Sequence, residues 1–283
     1  MVVSMAGFTI NDAITKYASS AMNMGQVMLI RGIFATLFIG ALAWHRGALR
    51  APRAIANPML AIRVVGEVGG TVTFLIALAH LPIATVSAVL QALPLAVTMG
   101  AALVFGEDVR WRRWLAIAVG FVGVLVIIRP GLEGFSSYTL LVLASVVFCA
   151  FRDLATKRLP DDIPTAFVST VTAIAVMVTG AFLIVPMGGW TTPPAWSVML
   201  LACGATLLVI GYQFIIMAMR VGDISFIAPF RYTALLFSIL LGLIIFGDIP
   251  DGPMIAGALI VVGSGLYTLY REQAAGRDKP AAE

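Results

Sequence analysis

Apolar residues run almost unbroken through ten stretches, at about 1–19, 25–44, 60–79, 83–105, 114–129, 138–156, 164–186, 197–219, 224–246 and 253–270. Each is roughly 20 residues long, the length an α-helix needs to cross the hydrocarbon core of a bilayer. Barrel strands need only about 10 residues and alternate apolar with polar positions, a pattern these stretches lack. The sequence therefore predicts an all-α integral membrane protein with ten transmembrane helices and short connections. The first stretch has no basic leader and no small-residue cleavage site, so it reads as a retained helix rather than a signal peptide.

Composition sharpens this picture. Of the 283 residues, 60% are apolar and 11% charged, whereas a soluble domain carries about 25% charged residues. Mean hydropathy is +1.01, which excludes a soluble globule and a disordered chain alike. The net charge of +4 is explained by where the cations fall. With the N-terminus in the cytoplasm, the inner side holds Arg46, Arg50, Arg53, Arg63, Arg110, Arg112, Arg113, Arg152, Lys157, Arg158, Arg220, Arg271, Arg277 and Lys279. The outer side holds Lys16 and Arg129, and only Arg31 and Arg231 lie within spans. The positive-inside rule then places both termini in the cytoplasm, in an inner membrane, and no nucleic-acid partner is needed. Cys149 and Cys203 lie inside apolar runs and read as small packing residues. Trp44, Trp111, Trp114, Trp190 and Trp196 lie at span ends, as interfacial anchors do. His80 is read the same way.

The two halves of the chain repeat at an offset of 141 residues. Asp12-x-x-Thr15-Lys16 falls on Asp153-x-x-Thr156-Lys157, and Phe105-Gly106-Glu107 falls on Phe246-Gly247-Asp248. The repeats are 1–136 and 137–271, followed by a polar tail at 272–283. Five helices is an odd number, so the second repeat must enter the membrane upside down. Inverted repeats that rock about a central site characterise secondary transporters, although a repeat kept for assembly alone has the same sequence signature.

Gln91-Ala92-Leu93-Pro94-Leu95 before Phe105-Gly106-Glu107, and Ala228-Pro229-Phe230-Arg231-Tyr232 before Phe246-Gly247-Asp248, are similar to the ten-helix, EamA-type members of the drug/metabolite transporter superfamily. The resemblance extends over the whole chain and includes Arg31 near the start of the second span. It implies carriage of a metabolite such as an amino acid, a vitamin or a nucleotide-linked compound, with no cofactor or metal. Asp248 departs from the glutamate that the family more often shows there. No zinc-hydrolase, serine-nucleophile or Walker A pattern is present, which disfavours an intramembrane enzyme or an ATP-driven pump. A non-transporting scaffold is the other alternative.

Charges inside a span cost about 3 kcal/mol on insertion scales and need a partner or a function. Asp12, Lys16, Glu107 and their repeat mates obey the symmetry and read as structural. Asp12 and Lys16 are one helical turn apart, suited to an ion pair, as are Asp153 and Lys157. Glu107 and Asp248 are expected to meet loop arginines or water. Arg31, Glu67 and Arg231 break the symmetry, since their mates are Thr172, Leu208 and Leu90. Depth alone pairs Arg31 with Asp12 and Glu67 with Arg231. Each arginine either binds a substrate carboxylate or phosphate or closes a buried ion pair. A Glu67 released from Arg231 by substrate would bind a proton and couple solute to proton movement. Gln91, Tyr232, Tyr212, Gln213 and Asn11 are candidate solute contacts, and Pro94 and Pro229 candidate hinges. This mixture favours a small zwitterionic or anionic solute.

Overall fold

The computed structural model describes the chain except residues 46, 49–54, 56, 108, 132–134, 161, 222–227 and 278–283. Arg46, Arg50, Arg53 and Lys279 therefore lie outside the described residues, as do the side chains of Arg220 and Arg277 and most of the predicted tail. The described residues contain helices and no strand. In chain order they are α1 (Val2–Ala18), α2 (Met24–His45), α3 (Pro58–His80), α4 (Ile83–Leu90), α5 (Leu93–Phe105), α6 (Trp111–Ile128) and α7 (Tyr138–Lys157). They continue as α8 (Thr165–Ile184), α9 (Ala195–Val221), a 3₁₀ turn (Ala228–Tyr232), α10 (Thr233–Leu241), a π turn (Gly242–Phe246) and α11 (Gly252–Arg277).

Nine segments among the described residues are long and apolar enough to cross a membrane. The ten-span expectation differs by α1, which has 17 residues and lies at the short end of the spanning range. The fourth stretch is broken where its proline predicts a break. α4 ends at Leu90, Gln91 and Ala92 form a turn, and Pro94 sits in the first turn of α5, where its missing N–H costs no hydrogen bond. Pro229 lies in the 3₁₀ turn of the second half, six residues earlier in the repeat than Pro94, since its repeat mate is Ala88.

Helix packing follows the repeat. The largest interfaces join α2 to α8, α3 to α7, α6 to α11 and α1 to α9. Shifted by 141 residues, α2·α8 and α6·α11 map onto themselves, and α3·α7 maps onto α1·α9. α3 and α7 run antiparallel, with His80 stacked on Tyr138 at one end (ring centroids 3.9 Å apart) and Gly66 against Arg152 towards the other. A β-carbon on Gly66 would lie 2.8 Å from the Phe148 carbonyl oxygen, so the two backbones meet only because the position carries no side chain. Cys149 packs against Gly70 as a small residue, whereas Cys203 is exposed. All five tryptophans lie near or beyond helix ends and are exposed.

Candidate functional site

The α3·α7 interface carries a closed ionic cluster. Glu67 Oε2 lies 3.5 Å from Arg152 Nη1 and 3.8 Å from Arg63 Nη1. Arg152 Nε also donates to Asp153 Oδ1 at 2.8 Å, and Arg63 Nη1 donates to Thr172 Oγ1 on α8 at 2.8 Å. Two guanidinium groups thus face two carboxylates, with side chains largely shielded from solvent. Arg63, Arg152, Asp153 and Thr172 were not singled out by sequence as site residues. The available signals were the one-turn spacing of Arg63 from Glu67 and the adjacency of Arg152 to Asp153.

This cluster corrects the Glu67–Arg231 pairing. Arg231 is exposed in the 3₁₀ turn, while Glu67 is engaged by two nearer arginines. Equal depth did not make neighbours, because α3 packs on α7 and not on the 3₁₀ turn. The proton-coupling scheme built on Glu67 and Arg231 falls with that pair.

The repeat-related α1·α9 interface is built differently. Its counterparts of Arg63, Glu67, Arg152 and Asp153 are Gly204, Leu208, Asn11 and Asp12. Only one of the two carboxylates survives, as Asp12, and both arginines are gone. Asn11 is buried and its Nδ2 donates to Asp12 Oδ1 at 3.2 Å. Its Oδ1 has no hydrogen-bond partner among the described residues. Gly204 packs closely against this oxygen: a β-carbon there would lie 3.2 Å from it. The nearest cation comes from another helix: Arg31 on α2 lies within electrostatic reach of Asp12, Tyr212 and Glu67. Arg31 makes no hydrogen bond or ion pair with any described residue.

Tyr212 stands between the two interfaces. Its ring packs edge-on against Phe8 with centroids 5.2 Å apart. Its hydroxyl is in electrostatic reach of Glu67, Arg152, Arg63 and Asp153, and of Arg31. Tyr212 is nevertheless 46% exposed. Tyr212 thus combines a partly exposed side chain with electrostatic reach to charges on three other helices. Asn11, Asp12, Arg31 and Tyr212 are therefore brought to one place. The others are not. Gln91 is buried at the α4–α5 break, and Tyr232 is buried with its hydroxyl against the Gly265 backbone and without a hydrogen-bond partner. Gln213 is half-buried, with no role that the structure explains.

The two intrahelical lysine–aspartate pairs expected from spacing do not form. Lys16 Nζ donates to the Leu81 carbonyl and lies 3.8 Å from Asp248 Oδ2. Lys157 Nζ donates to Glu107 Oε1 at 2.5 Å. The carboxylates at the ends of the fourth and ninth predicted spans thus meet lysines of the opposite repeat, not loop arginines. Beside Lys16 opens a cavity of about 730 Å³, bordered by Asn23, Ile76, His80, Met187 and Phe246 among others. His80, read as an interfacial residue, lies on this rim.

Comparison with known proteins places this arrangement in context. The model of the EamA-like transporter family matches residues 1–129 and again 136–270. A riboflavin transporter of Vibrio cholerae is 30% identical over 267 residues, covering 93% of this chain and 89% of its own. The S-adenosylmethionine uptake transporter of Rickettsia prowazekii is 24% identical over 96% of this chain and 92% of its own. A pseudopaline exporter of Pseudomonas aeruginosa is 28% identical over 92% and 91%. A solved crystal structure shares the fold with a TM-score of 0.64 at 19% identity, covering 98% of this chain and 99% of that one.

Proposed function

Because the chain belongs to the EamA-like transporter family and is a multi-pass integral membrane protein, we propose that it is a secondary carrier of a small zwitterionic or anionic metabolite working by alternating access. The observation that carries this reading is the stripped α1·α9 interface. There a guanidinium without a bonded partner, a carboxylate and a buried, unsatisfied amide oxygen lie in one region. A buried polar group without a partner is costly, and a bound solute removes that cost. Arg31 binds a carboxylate of the solute in a bidentate fork. Asp12 and the Asn11 carbonyl oxygen receive its ammonium, and Tyr212 closes the slot from the α9 side. An amino-acid end group has this pattern of charges. S-adenosylmethionine, named for the Rickettsia relatives, carries such an end group.

The two repeats lie inverted in the bilayer, with both termini cytoplasmic, as the excess of arginine around Arg110, Arg112, Arg113 and Arg158 supports. Lys157 then marks the cytoplasmic end and Lys16 the outer end. The breaks at Pro94 and Pro229 are paired hinges about which the repeats rock. The names of the relatives include both uptake and export, so direction follows from the gradient to which the carrier is coupled.

Uptake into proteoliposomes tests this reading, with radiolabelled S-adenosylmethionine, riboflavin and amino acids offered singly. Saturable uptake of at least one amino-acid-bearing solute, competed by unlabelled solute, is expected. Uptake confined to compounds without a carboxylate or phosphate would remove Arg31 from the solute site. No uptake of any of them by folded protein would favour a scaffold.

A further inference from the structure

The Lys16–Asp248 and Lys157–Glu107 contacts are equivalent under the 141-residue repeat, and each joins a lysine of one repeat to a carboxylate of the other. The local geometry is repeated as well. Gly106 and Gly247 both take the left-handed backbone conformation, at φ 66° and 69°. Glycine is favoured there because a β-carbon is strained at positive φ. Each glycine ends its helix and turns the following acid back towards the lysine. The next N–H in each case reaches a carbonyl six residues earlier, Glu107 to Ala101 at 3.4 Å and Asp248 to Gly242 at 3.0 Å. The phenylalanine before each glycine takes a cation over its ring, Arg158 over Phe105 at 4.1 Å and Lys16 over Phe246 at 5.1 Å.

The two contacts lie at opposite ends of the bundle. Lys16 touches Leu81, just past the C-terminal end of α3. Lys157 is the last residue of α7, which runs antiparallel to α3 and ends near its start. Yet the two are not equally closed. Lys157 and Glu107 are bonded at 2.5 Å. Lys16 and Asp248 stand 3.8 Å apart, Asp248 Oδ2 has no hydrogen bond among the described residues, and the cavity opens beside Lys16.

We propose that these two pairs are reciprocal gates of the carrier, each pinning one repeat to the other at its own end, with the Lys157 gate shut and the Lys16 gate slack in this structure. The proposal rests on the carrier reading above and adds positioning residues that act on the repeats and never touch solute. Breaking the shut gate removes what holds the outer end open. Breaking the slack gate removes what would close it.

The test needs no solute. In full-length protein carrying Cys149→Ala and Cys203→Ala, Ile76→Cys in the cavity wall reports access to a membrane-impermeant maleimide. Lys157→Gln is expected to slow labelling by about fivefold, the lower end of typical coupling between conformational states. Lys16→Gln is expected to leave labelling as fast as in the parent or faster. The charge swap Lys157→Glu with Glu107→Lys restores the parent rate, which a fold defect would not allow. If Lys157→Gln leaves the rate unchanged, or if both variants slow it alike, the gates are refuted. Failure of labelling to respond while solute uptake persists removes the gates and keeps the carrier. Response of labelling without any uptake keeps the two-ended device and removes the solute assignment.

Discussion

The α3·α7 and α1·α9 interfaces are related by the repeat, each joining one repeat to the other, and they carry opposite chemistry. At α3·α7, Glu67 and Asp153 are matched by Arg63 and Arg152, and Arg63 also donates to Thr172. At α1·α9 the equivalent positions hold Gly204, Leu208, Asn11 and Asp12, and the arginine arrives from α2 without a direct bond. A buried network whose charges are matched fixes helices in place, even though Arg63 Nε here has no hydrogen-bond partner among the described residues. The same geometry emptied of its arginines leaves polar groups in want of a partner. A repeat can thus yield one interface with matched charges and one with unmatched polar groups from the same backbone.

Glu67→Gln should break the comparison from the filled side. Two arginines would lose their shared carboxylate, at a cost of about 3 kcal/mol. A large fall in Tm in detergent is expected, whereas Asp12→Asn should lower Tm much less, because no ion pair is broken there. Equal losses from the two variants would mean that Asp12 is as fully engaged as Glu67. A smaller effect is expected at the crossing itself. Gly66→Ala drives a methyl group to 2.8 Å from the Phe148 carbonyl oxygen, costing about 1–3 kcal/mol. Gly204→Ala meets Asn11 Oδ1 at 3.2 Å, so it should be milder for Tm and should instead weaken solute binding severalfold.

The smallest effect lies outside both interfaces and calibrates them. Arg129 donates to Asp251 in the loops flanking α6 and α11, and this bond holds the Asp251 carboxyl below the usual carboxylate range. A depressed folded value means that the stabilisation is present above the ordinary aspartate pKa near 3.9 and is lost as pH falls through the folded value. Tm should therefore carry this pair's full contribution, with no pH dependence from it, between about pH 5 and pH 8, and lose that contribution as pH falls below about 4. Asp251→Asn should lower stability by less than about 1 kcal/mol, since the pair is solvent-exposed. A Tm loss approaching that of Glu67→Gln would show that the loops, not the buried cluster, carry the stability.

Much of the architecture was legible in the sequence. Runs of apolar residues set the helices, and Pro94 and Pro229 marked the interrupted ones. The repeat was readable because Asp12-x-x-Thr15-Lys16 is rare in so apolar a chain. Partners were legible only in part. Arg31 and Asp12 were matched by depth and do share one region. Glu67 and Arg231 were matched the same way and do not, because depth fixes a residue along a helix axis and says nothing of which helices touch. Arg63 and Arg152 read as charges of the inner surface, yet both reach into the α3·α7 interface. Lys16 and Lys157 were assigned to the nearest acid on their own helices. The left-handed glycines after Phe105 and Phe246 turn Glu107 and Asp248 towards them instead.

The central claim is that Arg31 at the emptied interface holds the solute. A titration of Tm against the solute that proteoliposome uptake identifies, in wild type and in Arg31→Ala, tests it most directly. A ligand that binds the folded state raises Tm with concentration. The account predicts that Arg31→Ala remains folded, with the midpoint of that rise displaced at least tenfold to higher concentration. An unchanged midpoint in Arg31→Ala would contradict it.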